Sequence, residues 1–466
     1  MPLNFQIEQL HKEVDRRDDR PLKMFHSHID FEKEIAMTLS LRRGVIGSLC
    51  LLLVAVSTSV SVARLAHASR APIVVQYWEN LCFSPAKQDL QTMINAFNHE
   101  HPGIQLQPRC FSNANVLQPT LLAAIHAHHP PALSQTDAFA IATYVNQGTV
   151  ENLSPYIRGR NGLTRAQIND YFSPQWQNGM YRGSMYSLPF NDTSVTVLWY
   201  NPKITRAAGI MTAPRTWSEF ASDCARVTKH GNWCMDTTDN EETLWEPMVR
   251  QWGGSLVNRS GTRVAFNSAA GIGALDYFVK LTKKGYVHHT NSSTSQWQQD
   301  FASGHVAFEV YSSEGAAGMQ QMIGSKFRMG AADIPAGPRS NVAGNAGDNI
   351  FMFKGAAPSV KQAAWTYMKW ATQPRWTAWW SEHLDASPVR KSAVALMRPF
   401  LRTHPLVAVP IKELGRAFYS PSVSGWAQAQ GDIDTEMSKA MLGQESSAQA
   451  IKNATVKVNH DLSSAG

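Results

Sequence analysis

Long hydrophobic runs are almost missing from this chain. Only residues 44–63 approach bilayer-spanning length, which excludes a polytopic membrane protein. An excess of one charge is missing too. Forty-three Lys and Arg face 36 Asp and Glu, and the formal surplus of +7 is scattered, with no basic block. Nucleic acid is therefore not an expected partner. The sequence contains no GxSxG, HExxH or GxxxxGK[ST] motif, so nothing supports a serine hydrolase, a zincin or a P-loop enzyme. Cysteine is scarce, at five, and no CxxC or Cys/His cluster has zinc spacing, so neither metal nor cofactor is expected. What remains is 466 residues that are 43% hydrophobic and 17% charged, with 14 Trp and 24 Pro. Such a composition excludes a disordered chain or a coiled coil, and the length calls for at least two domains.

The first 68 residues read as an address. Residues 1–36 are polar, with Met24 or Met37 as the expected start. Arg42 and Arg43 precede the apolar stretch 44–63, and Ala66-His67-Ala68 follows it. A positive region, an apolar region and a small-x-small site describe a secretory signal peptide cleaved after Ala68. An uncleaved anchor is the competing reading, because the apolar stretch is long and Arg64 lies close to the cleavage site. Cys50 sits too early in the run for a lipoprotein. Export leaves Cys82, Cys110, Cys224 and Cys234, an even number, and favours two bridges. Three connectivities are possible, and the local pairs 82–110 and 224–234 are preferred over four free thiols.

Beyond residue 72 strand and helix patterns alternate. Residues 73–78 read as a buried strand. Leu90, Met93, Ile94 and Phe97 then mark a helix face, broken at His101-Pro102-Gly103. A second strand starts at Ile104, a second helix carries Leu117, Leu121, Leu122 and Ile125, and a third strand ends at Asp137. Later come strands at 198–200 and 306–311, and helices capped by Thr216, with Glu219 completing a capping box, and by Ser268. A helix face follows at 360–371, and a last helix spans 432–442. This alternation predicts an α/β fold in two lobes, without tandem repeats.

Several motifs in this order resemble bacterial extracellular solute-binding proteins of family 1. They are Phe97-Asn98 before Pro102-Gly103-Ile104, Pro130-Pro131 followed by Asp137, and Leu188-Pro189-Phe190-Asn191 leading to Tyr200-Asn201. Further on stand Pro214, Thr216-Trp217 and Glu219-Phe220, then Phe301 with Gly304, Ala363-Ala364-Trp365 with Pro374, and Pro388-Val389. The similarity spans nearly all of residues 72–455. It implies the two-lobed periplasmic-binding-protein fold, with a hinge and an interlobe ligand cleft. It also implies a monomer that hands a small molecule to the permease of an ATP-driven ABC importer and catalyses nothing. Residues 69–194 and 346–385 are expected in one lobe, and 195–345 and 386–466 in the other. The hinge is expected at 194–198, 344–347 and 386–389. Implied ligands are a di- or oligosaccharide, or alternatively glycerol phosphate or a glycerophosphodiester. Relatives that bind glycerol phosphates carry an arginine where Ser422 aligns and a tyrosine where Ala386 aligns, which argues against a phosphate monoester.

Sugars are recognised by planar amides and carboxylates that pair with hydroxyls, and by aromatic faces. Trp78, Glu79 and Asn80, after the first strand, supply all three, although Trp78 also suits a core and Glu79 a solvated loop. Asp137 ends a strand as a ligand carboxylate or a helix cap. Asn191, Asp192 and Thr193 precede the expected hinge and suit either a ligand or a turn. Ser313 and Glu314 form a ligand loop or a cap. By the resemblance, Trp245 falls where a cleft tryptophan is expected, and Gly347, Asp348 and Asn349 where a glycine loop passes beneath the ligand. Trp426 is expected as a stacking platform. A secreted carbohydrate-active enzyme, with Glu79 and Asp137 as acid and base, is the remaining alternative.

Overall fold

The computed structural model describes residues 71–82, 85–237, 242–290 and 296–464, without the side chains of 115, 191–193, 242, 243 and 315. The expected signal segment lies outside them. Among the described residues no helix is long and apolar enough to cross a membrane.

Eight strands form the backbone of one mixed sheet: β1 (Ile73–Glu79), β2 (Ile104–Cys110), β3 (Leu133–Asp137), β4 (Ser187–Tyr200), β5 (Trp233–Thr237), β6 (Val287–His289), β7 (Val306–Ser312) and β8 (Ala343–Met352). Their spatial order is β2-β1-β3-β8-β4-β7-β5-β6. The first three are parallel, as right-handed crossovers through helices require. So are β7, β5 and β6. Between the two groups run β4 and β8, antiparallel to each other and to their outer neighbours.

The helices that matter to the site and its walls are α1 (Ala86–Glu100), α2 (Ala114–His126), α3 (Trp217–Lys229), α4 (Glu242–Gln251), α5 (Ala269–Lys283), α6 (Gln296–Ser303), α7 (Pro358–Ala371), α8 (Trp426–Met441) and α9 (Ser447–Ser464). The spacing Leu90, Met93, Ile94, Phe97 puts one stripe of α1 into the core, with Phe97 edge-on to Tyr367 and Trp370 of α7. Thr216 caps α3 by accepting from the Glu219 N–H. The Glu219 carboxylate returns to the N–H of Arg215 rather than to that of Thr216, so the expected capping box closes one residue early. The strand expected at 198–200 is the end of the much longer β4. The C-terminal helix expected at 432–442 starts earlier, at Trp426, and α9 follows it. That pair covers α5, because Ile433, Met437, Ile451 and Val458 face one cluster with Leu275 and Val279.

Two large hydrophobic cores meet along β4 and β8. Leu188 and Phe190 of β4, with Ile350 and Met352 of β8, belong to the core built on α1 and α7. Val195 and Leu198 of β4, with Ala343 of β8, belong to the core built on α3, α5 and α8. Each strand therefore leaves one core and enters the other within a few residues. Both expected disulfides form. Cys82–Cys110 ties the ends of β1 and β2 with Cα atoms 5.4 Å apart, and Cys224–Cys234 ties α3 to β5 with Cα atoms 4.8 Å apart. Export into an oxidising compartment is what such bridges need.

Candidate functional site

Where β4 and β8 pass from one core to the other, a cleft of about 340 Å³ opens, a size typical of small-molecule sites. Its floor is made of Ser194 and Thr196 from β4 and residues 344–347 from β8. Asp137 and Phe139 stand on one side, at the carboxyl end of β3. On the other side are Tyr311 and Ser312 from β7, Glu246 from α4, Tyr419 and Ser420, and Gln430 from α8. Ligand sites in open α/β sheets form where strand ends and a change of strand direction leave a crevice, and this cleft occupies such a place.

Asn345 is the most informative residue in the lining. It is 9% exposed, and neither its amide nitrogen nor its amide oxygen has a hydrogen-bond partner. Buried polar atoms are nearly always paired, so an amide edge unpaired at the floor of a cleft fits ligand hydroxyls.

Glu246 is held firmly. Ser420 Oγ donates to its Oε2 at 2.5 Å, while Trp426 Nε1 and Gln430 Nε2 donate to its Oε1 at 3.0 and 3.1 Å. Three donors fix a carboxylate at the wall with little rotamer freedom to lose when a ligand binds. Opposite, Asp137 faces Asp348 across β3 and β8. Burial raises the Asp137 carboxyl above its usual range. Hydrogen bonds from Asp348 and from Gln118, whose Nε2 lies 2.8 Å from Asp137 Oδ2, work against the rise.

Among the described residues the lining holds two carboxylate side chains, Asp137 and Glu246, and no Lys or Arg. Aromatic rings are present as Phe139, Tyr311, Phe418 and Tyr419, and hydroxyls as Ser194, Thr196, Ser312 and Ser420.

The structure sorts the residues expected from sequence. Asp137 and Gly347 line the cleft. Asp348 lies behind it, 4% exposed, and accepts from Gln135 Nε2 at 3.1 Å. Asn349 is turned to Ser187, donating to its Oγ at 2.9 Å. The side chains of Asn191, Asp192 and Thr193 lie outside the described residues.

Other residues depart from the expectation. Trp78 packs on Phe111 beneath the Arg109 guanidinium, and Glu79 accepts from the Leu81 N–H; neither they nor Asn80 line the cleft. The cause is the alternation of β1, which sends Trp78 and Glu79 into opposite faces of a sheet covered on both sides. Of the two carboxylates expected as acid and base, Asp137 lines the cleft and Glu79 does not. Trp245 is completely buried, donating to the Gly271 carbonyl at 3.0 Å, whereas its neighbours Leu244, Glu246 and Pro247 reach the cleft. On a helix, adjacent residues point about 100° apart, so the aromatic and the acid cannot share a face. Trp426 is 1% exposed and supports Glu246 from behind. Ser313 accepts from the Val195 N–H at 3.1 Å and so holds β4, and neither it nor Glu314 lines the cleft. Asn345, Glu246, Tyr311, Ser420 and Gln430 were not singled out from sequence. Glu246 adjoins a residue that was, and Asn345 lies within the expected hinge.

Glu79 itself supports a pH prediction. Burial pushes its carboxyl up to about 7, against the Leu81 N–H and Lys87. The unfolded chain releases this proton near pH 4.5 and the folded protein only near 7, so Glu79 costs stability as pH rises through that window. Glu79→Gln, which keeps the acceptor for Leu81, is expected to raise the melting temperature by about 2–4 °C at roughly pH 8 and to leave it unchanged near pH 4. An equal shift at both pH values would refute the assignment.

A two-lobed α/β protein with its cleft at the crossing strands is the architecture of the periplasmic binding proteins. The chain belongs to the bacterial extracellular solute-binding protein family, whose sequence profile matches residues 92–409. It is 21% identical over 423 residues to the sn-glycerol-3-phosphate-binding periplasmic protein UgpB of Yersinia enterocolitica, covering 85% of this chain and 94% of that one. Among solved structures it resembles the sugar-binding protein MalE from Xanthomonas citri, with a TM-score of 0.76 and 19% identity over 84% of this chain and 98% of that one. It also resembles UgpB from Mycobacterium tuberculosis in complex with glycerophosphocholine, with a TM-score of 0.71 and 19% identity over 85% and 99%.

Proposed function

We propose that this chain is exported, binds a neutral saccharide of di- or oligosaccharide size in the cleft, and delivers it to the permease of an ATP-driven importer without altering it. The lining carries the proposal: carboxylates, an unpaired amide, hydroxyls and aromatic rings, with no cation among the described residues. Polyhydroxyl ligands use each of these groups. A phosphate monoester calls for arginine or lysine, and would meet Asp137 and Glu246 instead.

Delivery requires a change of shape. We place the hinge in 194–198 and 344–347, with a third crossing at 386–389. The lobes are then 69–194 with 346–385, and 195–345 with 386–466. The exchange of cores along β4 and β8 supports the first two of these crossings, since few side chains would repack there when the lobes rotate. A ligand touching both walls stabilises the closed form through contacts that the open form lacks, and the permease reads the closed form.

One observation favours a second reading. Carboxylates beside Phe139, Tyr311 and Tyr419 also suit a quaternary ammonium, and so a glycerophosphodiester with a choline head. Melting of the protein is measured against oligosaccharides, sn-glycerol 3-phosphate and glycerophosphocholine. At a hundredfold excess over Kd a true ligand contributes about 2.7 kcal/mol, a shift of a few degrees or less for a chain of this size. A saccharide shift with the sugar recovered intact supports the proposal. A shift with glycerophosphocholine alone replaces it by the second reading, and a consumed sugar restores the enzyme.

A further inference from the structure

Away from the cleft, β5, β6 and α6 bring together Asp236, His288 and Asp300. Asp236 and His288 are direct partners on parallel strands, so both side chains leave the same face of the sheet. Asp300 approaches that face from α6, whose Trp297 and Phe301 are fixed in the core beneath. The Asp236 side chain is fully buried, and neither of its carboxylate oxygens has a hydrogen-bond partner. His288 Nδ1 is likewise unbonded, although it lies 3.3 Å from Asp236 Oδ1 and 3.7 Å from Asp300 Oδ2. Trp233 stacks on the imidazole, at 5.1 Å between ring centres and 19° between planes, and sets its orientation.

We infer that Asp236, His288 and Asp300 form a binding site for one divalent transition-metal ion, Zn²⁺ by preference, which staples α6 to the edge of the sheet.

A buried acid and an imidazole nitrogen lack the hydrogen bonds that buried polar groups otherwise make, and Asp300, 24% exposed and accepting from Gln296 Nε2 through Oδ1, leaves Oδ2 beside them. A cation at their centre satisfies all three at once. Ligand atoms about 2.0–2.2 Å from a tetrahedral Zn²⁺ stand roughly 3.3–3.6 Å from one another, close to the spacing already present. All candidate ligand atoms lie within 4.8 Å of each other. Imidazole with carboxylates suits Zn²⁺ or Mn²⁺, whereas Ca²⁺ calls for six or more oxygens and gains nothing from a histidine. The His288 side chain is 38% exposed, which leaves a path for the ion and for a water as fourth ligand. None of the three lines the cleft, so the ion acts on the stability of this wall and not on ligand contact.

The test uses tag-free, full-chain protein stripped with chelator and titrated with Zn²⁺, comparing wild type with Asp236→Asn and His288→Gln. Wild type is expected to take up one equivalent and to melt at a higher temperature with Zn²⁺ than without. Both variants are expected to lose that equivalent and the Zn²⁺-dependent shift. His288 is partly exposed, so His288→Gln decides the matter if Asp236→Asn does not fold. No Zn²⁺-dependent shift in wild type, or the same equivalent retained in a folded variant, overturns the site.

Discussion

Trp426→Ala is expected to destabilise the protein by about 3–5 kcal/mol, the usual cost of emptying a buried aromatic position. The indole is 1% exposed at the start of α8, in the cluster with Ile433, Met437 and Trp245. Its removal leaves a cavity and takes the Trp426 Nε1 donor from Glu246, while those of Ser420 and Gln430 stay. Sequence alone casts this residue as a platform over the ligand, whose loss weakens binding and spares the fold. The structure reverses that balance. Denaturant unfolding of the variant checks it: a midpoint equal to that of wild type would return Trp426 to the cleft surface. Trp426→Phe fills most of the space but cannot donate to Glu246, so it should recover most of the stability while affinity stays reduced.

Asn345→Leu is expected to show the opposite pattern. Loss of an amide that pairs with ligand hydroxyls should lower affinity for the transported saccharide roughly tenfold to a hundredfold. Melting temperature should stay the same or rise slightly, because a buried amide with both polar ends unpaired is replaced by an apolar group of similar size. Calorimetric titration with the saccharide that shifts the wild type reads this directly. An affinity within twofold of wild type would exclude Asn345 from ligand contact. The pair of variants thus separates a residue that builds the wall from one that meets the ligand.

What could be read in advance follows the range of the interactions. The helix stripe Leu90, Met93, Ile94, Phe97, the caps Thr216 and Ser268, and the breaks at Pro102 and Gly103 are local, and the structure keeps them. Both disulfides join segments that are close in sequence or end on adjacent strands. The length of β4 was less legible. Pro189 and the polar run 191–194 interrupt its hydrophobic pattern, and only pairing with β8 on one side and then β7 on the other carries the strand through them. In the site, Asp137 was legible because it ends a strand whose carboxyl edge must face a crevice.

The tryptophans mark the limit. Trp78, Trp245 and Trp426 each adjoin polar residues, and that pattern suits a stacking platform as well as a core side chain. The local sequence contains nothing to distinguish them, since both roles need a large amphipathic ring.

By itself the sequence determined the alternation of strands and helices, the two lobes, the bridges and the family, because these depend on periodicity, local capping and ordered motifs along one chain. Tertiary structure alone decided which polar groups line the cleft. Asp137, Glu246, Asn345, Ser420 and Gln430 come from five separate segments and share a cleft only because β4 and β8 cross between two cores. Asp236, His288 and Asp300 obey the same rule: no spacing relates them, and strand pairing with the packing of α6 brings them within ligand distance.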